Sequence, residues 1–167
     1  PNSWIPPDPA WILRAIEKNL EKDDKFHFPT PFGIVSIRFR LSAKAIELLK
    51  SVEELRLRPY DDDTGGELTE WTSDATIGYG HLIMDEAEFQ DYEDGITTEE
   101  ADNLFLQDAA EHESGVSRSV VIPPTQEEFD ALVMLSFNIG SNAFAASSVA
   151  KLINDPNAET GFDSLED

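Results

Sequence analysis

A chain of 167 residues with 34 acidic against 12 basic side chains carries a net charge of −22. That argues against a broad basic face for nucleic acid and leaves cations, basic proteins or neutral ligands as partners. Cysteine is absent, which excludes disulfide staples, thiol catalysis and cysteine-ligated zinc. The length suits one domain with a real core and a short appendage, and no apolar run approaches the roughly 18 residues of a membrane span. The chain begins at Pro1 with neither a basic nor an apolar leader region, which reads as a piece of a larger protein with no visible secretory signal.

Residues 1–41 are expected to form an N-terminal extension of helix plus strand. Prolines crowd its start at Pro6, Pro7 and Pro9. Asp8 is placed to cap a helix from Pro9 to about Leu20, with Pro9 at the first helical position. Its apolar set is Trp11, Ile12, Ile16 and Leu20. The FPTPFG stretch breaks the chain, and IVSIRFR at 34–40 reads as a strand with Ile37 and Phe39 on one face.

Residues 42–167 are expected to be the main domain. Ser42 caps a helix running to about Leu55. Residues 60–81 carry turn signals among β-formers and read as loops and short strands. Thr97 and Glu100 make a capping-box pair for a helix over 96–113, with Leu104, Phe105 and Ala109 inward. Thr125 and Glu128 make another for a helix over 126–139, striped by Phe129, Leu132, Val133 and Phe137 and ended by Gly140. One more helix starts near Ser147 and reaches Ile153. The pattern is mostly helical with a small β region, which fits α+β.

The stretch EELRLRPYDDDTGGELTEWTSDATIGYGH at 53–81 concentrates acid in a turn-rich segment. On a wheel at about 100° per residue, Glu53 falls among Ala45, Ile46, Leu49 and Val52, whereas Glu54 falls among polar neighbours. A carboxyl on an apolar arc is costly unless partnered or protonated, and partial burial raises its pKa toward that of a general acid. The competing reading is a helix that ends before Glu53, or an arginine that neutralises it. Asp61, Asp63 and Gly66 match the first, third and sixth places of a calcium loop, but Gly65 and Thr72 fall where its fifth and twelfth ligands belong, so the metal reading fails. Carboxylates at 53 and 62, one at a helix end and one on the next loop, suit glycoside hydrolysis. One protonates the leaving oxygen, and the other activates water or attacks the sugar.

Glu53, Asp62 and the run Thr76-Ile77-Gly78-Tyr79-Gly80-His81-Leu82 together resemble the active-site region of the phage-type lysozymes, glycoside hydrolase family 24. The similarity starts at LSAKAIELLKSVEELRLRPYDD and continues through ITTEEADNLFLQD, PPTQEEFDALVMLSFNIG and NAFAASSVAKLIN. The resemblance implies a two-lobed lysozyme-like fold, mostly helical, with a small antiparallel sheet beside the cleft. It implies cleavage of peptidoglycan between N-acetylmuramic acid and N-acetylglucosamine, usually with inversion. Glu53 would be the general acid, Asp62 would position or activate the water, and Thr76 would set its hydroxyl near that water. Leu82, Phe137, Asn138 and Ser147 would contact saccharide, against the plainer readings of core residues for Leu82 and Phe137 and of helix caps for Asn138 and Ser147. His81 reads as a structural hydrogen-bonder.

Thirteen residues separate Asp62 from Thr76, a wider turn than the family usually carries, and it must fold back to bring the two together. Asp62 keeps its register with Tyr60 and is preferred to Asp61 and Asp63. The family usually continues further, so the domain is expected to lack its C-terminal segment, and an arginine partner of Glu53 with it. No cofactor or metal is expected. The expected partners are peptidoglycan glycan strands and, if the protein is a delivered effector, a cognate immunity or inhibitor protein. Nucleic acid and membrane insertion are not expected, and a monomer is. Action in the bacterial periplasm or cell wall is expected, after delivery by a secretion apparatus or a phage lysis system. The alternative is a non-catalytic peptidoglycan-binding module of the same fold.

Overall fold

The structure is a computed structural model that describes residues 9–20 and 23–161. In chain order the elements are α1 (Pro9–Leu20), β1 (Phe26–Thr30), β2 (Gly33–Ile37), α2 (Ala43–Val52), β3 (Arg56–Asp61), β4 (Ala75–Gly78), β5 (His81–Leu82), α3 (Glu86–Tyr92), α4 (Thr98–Ser119), α5 (Gln126–Ile139), α6 (Ser141–Ala146) and α7 (Ser148–Asn154). The fold is α+β, helical with two small antiparallel sheets. The chain divides into two compact units, Pro1–Ser42 with Glu111–Asp167, and Ala43–Ala110.

The first unit carries the β1–β2 hairpin, paired from Phe26↔Ile37 to Thr30↔Gly33. The FPTPFG stretch, expected to break the chain, therefore supplies β1 and the turn. Gly33 takes φ 134°, a backbone shape only glycine holds without strain, and it lets the two apolar runs pair. Asn19 on α1 pins the hairpin. Its amide donates to the His27 carbonyl at 3.0 Å and accepts the His27 N–H at 2.7 Å. Phe26 meets Phe39 edge-on at 5.5 Å and Phe129 at 6.3 Å, and burying each such ring contributes about 1.5–3 kcal/mol.

Asn19 and Ala15 form the buried face of α1, whereas Ile12, Ile16 and Leu20 are exposed. The expected apolar stripe is thus not the packed one, because the buried amide must reach the hairpin backbone. Asp8, and the side chain of Trp11, lie outside the described residues.

α5 matches its expected bounds and has the full Thr125–Glu128 capping box. It ends at Gly140 with φ 86° and buries Phe129, Leu132 and Val133. α4 runs on to Ser119, beyond the expected end. Gly115 permits this by close approach, since a β-carbon there would stand 2.9 Å from Ser141 Oγ. The segment before α2 is held by two carboxylates, of which Glu113 is buried. Glu113 accepts the Leu41 N–H at 2.8 Å and the Arg40 guanidinium, and Asp130 accepts the Ser42 N–H at 3.0 Å.

The second unit holds the sheet β3-β4-β5. Arg56 pairs with Gly78 and Tyr60 with Thr76, so β3 carries a bulge between them. Ala75, Ile77, Ile83, Phe89 and Leu104 form the core beneath it, with Leu68, Tyr92 and Ile96 packed around. Thr97 and Glu100 cap α4 reciprocally, with the Thr97 N–H donating to Glu100 at 2.7 Å and the Glu100 N–H to Thr97 Oγ1 at 3.2 Å. Leu104, Phe105 and Ala109 are buried as its pattern predicts. α3 was not foreseen from the pattern. It is short and acidic, is started by the Asp85 side chain, and buries only Phe89.

Candidate active site

α2 ends at Val52 rather than near Leu55, so Glu53 follows the last helical residue. Its N–H still donates to the Leu49 carbonyl at 3.2 Å, which keeps Glu53 in the helical register. The side chain is half-buried. Its Oε2 lies over the turn of the GYGH segment, 3.8 Å from where a β-carbon on Gly80 would stand. Gly80, at φ 93°, meets the left-handed requirement of that turn. Burial, and then the charge of Asp62, raise the Glu53 pKa above its ordinary value of 4.5. Glu54 is exposed and pairs with Arg56 at 3.1 Å.

Asp62 follows β3 and is exposed. Thr76 lies on β4, only 3% exposed. The long turn between them does fold back. One carbonyl, that of Asp74, accepts both the Asp62 N–H at 3.1 Å and the Thr76 hydroxyl at 3.1 Å. The turn is itself well ordered by hydrogen bonds. Asp61 Oδ1 accepts the Thr64 N–H at 2.8 Å and its hydroxyl at 2.7 Å, which lowers the Asp61 pKa. Asp61 is thereby occupied as a turn residue. The Leu68 N–H reaches the Pro59 carbonyl at 2.9 Å, and Trp71 Nε1 donates to the Ile83 carbonyl at 3.0 Å. Among the described residues no group of three or more His, Cys, Asp or Glu could hold a metal ion.

Leu82 pairs with Thr76 across the ladder and is exposed. Directly opposed residues share a face, so Leu82 stands beside Thr76. His81 sits behind that face. Its Nδ1 lies 3.0 Å from each oxygen of Asp108, and its Nε2 lies 3.3 Å from Glu88. The hydrogen bond to Asp108 raises the His81 pKa most, burial opposes it, and the charges of Asp108 and Glu88 add to the rise. Two acceptors on two ring nitrogens suit the doubly protonated ring.

Residues 50–167 match the model of the phage lysozyme family. The chain belongs to that family. Its members are peptidoglycan hydrolases, and membership makes this chain a glycoside hydrolase of the muramidase class. The endolysin of Salmonella phage P22 is 33% identical over 126 residues, spanning 75% of this chain and 81% of the endolysin. The endolysin of Bacillus phage PZA is 32% identical over 116 residues, and the chain spans only 41% of that protein's length. Among solved structures, the muramidase domain of SpmX from Asticaccaulis excentricus is 36% identical with a TM-score of 0.56, covering 71% of this chain and 72% of that domain. An endolysin of Escherichia coli O157:H7 phage FAHEc1 is 31% identical with a TM-score of 0.55, covering 72% and 71%.

The remaining expected saccharide contacts lie in the first unit. The Phe137 ring packs 5.0 Å from His112, and Asn138 is exposed on α5. Ser147 caps α7, its hydroxyl accepting the Ala150 N–H at 3.1 Å. Two further residues of the second unit, Tyr60 and Arg56, lie on the strand paired with that of Thr76. Tyr60 was read only as a register mark, and Arg56 was not singled out. The bulge in β3 and the cross-strand partners, which place both on the site's sheet, are not readable from spacing.

Proposed function

We propose that the domain cleaves the β-1,4 bond between N-acetylmuramic acid and N-acetylglucosamine in bacterial cell-wall peptidoglycan, with Glu53 as general acid and Asp62 as general base. Glu53 in its protonated form gives its proton to the glycosidic oxygen as the bond from that oxygen to the anomeric carbon breaks. Water attacks the anomeric carbon and gives a proton to Asp62. The Thr76 hydroxyl, oriented by the Asp74 carbonyl, keeps lone pairs that accept from the same water. The environments of the two carboxyls differ in the sense this division of labour needs, one shielded and one solvated.

The observation that carries the reading is the Asp74 carbonyl. It joins the backbone of Asp62 to the side chain of Thr76, and the Asp62 charge also reaches Glu53. The experiment is digestion of purified peptidoglycan by wild type, Glu53→Gln and Asp62→Asn, with the new reducing ends identified by mass spectrometry. New N-acetylmuramic acid ends from wild type, with both variants slowed at least about a hundredfold, are expected. Undiminished digestion by Glu53→Gln would remove Glu53 from the chemistry. Binding of walls by wild type with no new reducing ends would make the domain a glycan-binding module instead.

A further inference from the structure

We infer that the Tyr60 hydroxyl donates a hydrogen bond to the saccharide bound over the β3-β4-β5 sheet, a substrate contact additional to those expected at Leu82, Phe137, Asn138 and Ser147. The inference rests on the assignment of Glu53 and Asp62 proposed above.

The first observation is register. Tyr60 pairs with Thr76, and Thr76 pairs with Leu82. Opposed residues of an antiparallel ladder project to one face, so Tyr60, Thr76 and Leu82 form a single row across the sheet. A saccharide placed for attack beside Thr76 and Asp62 therefore lies along that row.

The second observation is how the ring is held. The Arg56 guanidinium stands 5.3 Å from the Tyr60 ring centroid. Arg56 is itself fixed, donating to the Gly65 carbonyl at 3.3 Å and to Glu54 at 3.1 Å. Tyr60 is thus oriented through its ring. Its hydroxyl makes no hydrogen bond to another described residue and is not among the buried atoms left without a partner, so it reaches solvent.

The third observation is charge. Tyr60 lies in the field of Asp62 and Glu53, and burial together with those charges raises its pKa above 10.0, against a lowering by Arg56. The phenol stays protonated wherever the carboxyls work. A neutral donor flanked by carboxylates suits an uncharged acceptor, a sugar hydroxyl or the carbonyl of an N-acetyl group, and repels an anionic one.

Phe at position 60 keeps the ring and its stacking with Arg56 and removes only the hydroxyl. The test uses soluble oligomers of alternating N-acetylglucosamine and N-acetylmuramic acid, with wild type, Tyr60→Phe and Glu53→Gln. A contact made in both ground and transition states raises KM when lost and leaves kcat alone. Tyr60→Phe should raise KM about tenfold, a large value for a single neutral hydrogen bond, with kcat within about twofold. Calorimetric binding of the oligomers to Glu53→Gln and to the Glu53→Gln, Tyr60→Phe double variant should show the same loss without turnover. Unchanged KM and unchanged binding, beside an inactive Glu53→Gln, overturn the Tyr60 contact alone. A fall in kcat at constant KM also overturns it, because Tyr60 would then act through Asp62. Full activity of Glu53→Gln overturns the reading of the site on which the inference stands.

Discussion

The β1–β2 hairpin and the β3-β4-β5 sheet are of similar size, yet each is held in its unit by a different kind of contact. The hairpin depends on a neutral amide, Asn19, which satisfies both backbone groups of His27, and on edge-to-face phenylalanines. The site-bearing sheet depends on an imidazole between two carboxylates. His81 meets Asp108 and Glu88, and Glu88 also accepts the Met84 N–H at 2.7 Å. The Asn19 anchor holds no titratable group, while the His81 anchor becomes charged when its ring takes up a second proton. The sheet proposed to carry the chemistry therefore has a support that responds to pH.

The largest expected effect leaves both anchors in place. Glu53→Gln should reduce wall digestion about a thousandfold. It should also unfold at a slightly higher temperature than wild type near neutral pH. A carboxyl whose pKa is raised by folding stabilises the fold below its unfolded pKa and loses that contribution as pH rises through the folded value, so ionised Glu53 is a cost that glutamine removes. Thermal unfolding beside the activity assay checks both, and a lower melting midpoint would contradict the second.

Asn19→Ala is the next largest. It leaves two buried backbone groups of His27 unpaired and should cost about 2–3 kcal/mol in urea unfolding. The loss should be the same near about pH 6 and about pH 9, since no charge is removed.

Asp108→Asn should behave differently. The His81 pKa is raised in the folded state, so the stability it contributes is complete below the unfolded histidine value of about 6.5 and disappears as pH rises through the folded value. A cost of about 2 kcal/mol near about pH 6 should be smaller near about pH 9. Equal costs at both values would erase the contrast between the two sheets.

Asp61→Ala should have the smallest effect. Asp61 serves the turn through Thr64, so the melting midpoint should fall slightly and wall digestion should stay within about twofold of wild type. A collapse of activity would mean that Asp61, not Asp62, is the second carboxylate.

What the sequence made legible followed the range of the interactions involved. α5 could be read from its capping box, its stripe and Gly140, all of them local signals. The Thr97–Glu100 start of α4 could be read the same way. The end of α4 could not, because Gly115 matters only through its approach to Ser141, a contact distant in sequence. β1 was hidden because Pro29 and Pro31 look like breakers until the strand's partner is known. The polar face that α1 buries was hidden because an amide's value lies in the backbone it meets.

Within the site, the partial burial of Glu53 was legible from the wheel, although the helix stops just before it. Asp62 and Thr76 entered as candidates through the resemblance to the phage-type lysozymes. That Asp74 joins them through its carbonyl was not legible, since a backbone group leaves no trace in residue identity. Tyr60 needed the β3 bulge to bring it opposite Thr76.

The central claim concerns the protonation of one carboxyl. Carbon-13 NMR titration of the Glu53 side chain in wild type and in Asp62→Asn tests it most directly. The wild-type midpoint should lie above 4.5 and coincide with the alkaline limb of the activity profile. It should fall only part of the way in Asp62→Asn, because burial is the larger cause and the Asp62 charge the smaller. A wild-type midpoint at or below the ordinary glutamate value, or one that leaves the alkaline limb unexplained, would contradict Glu53 as the general acid.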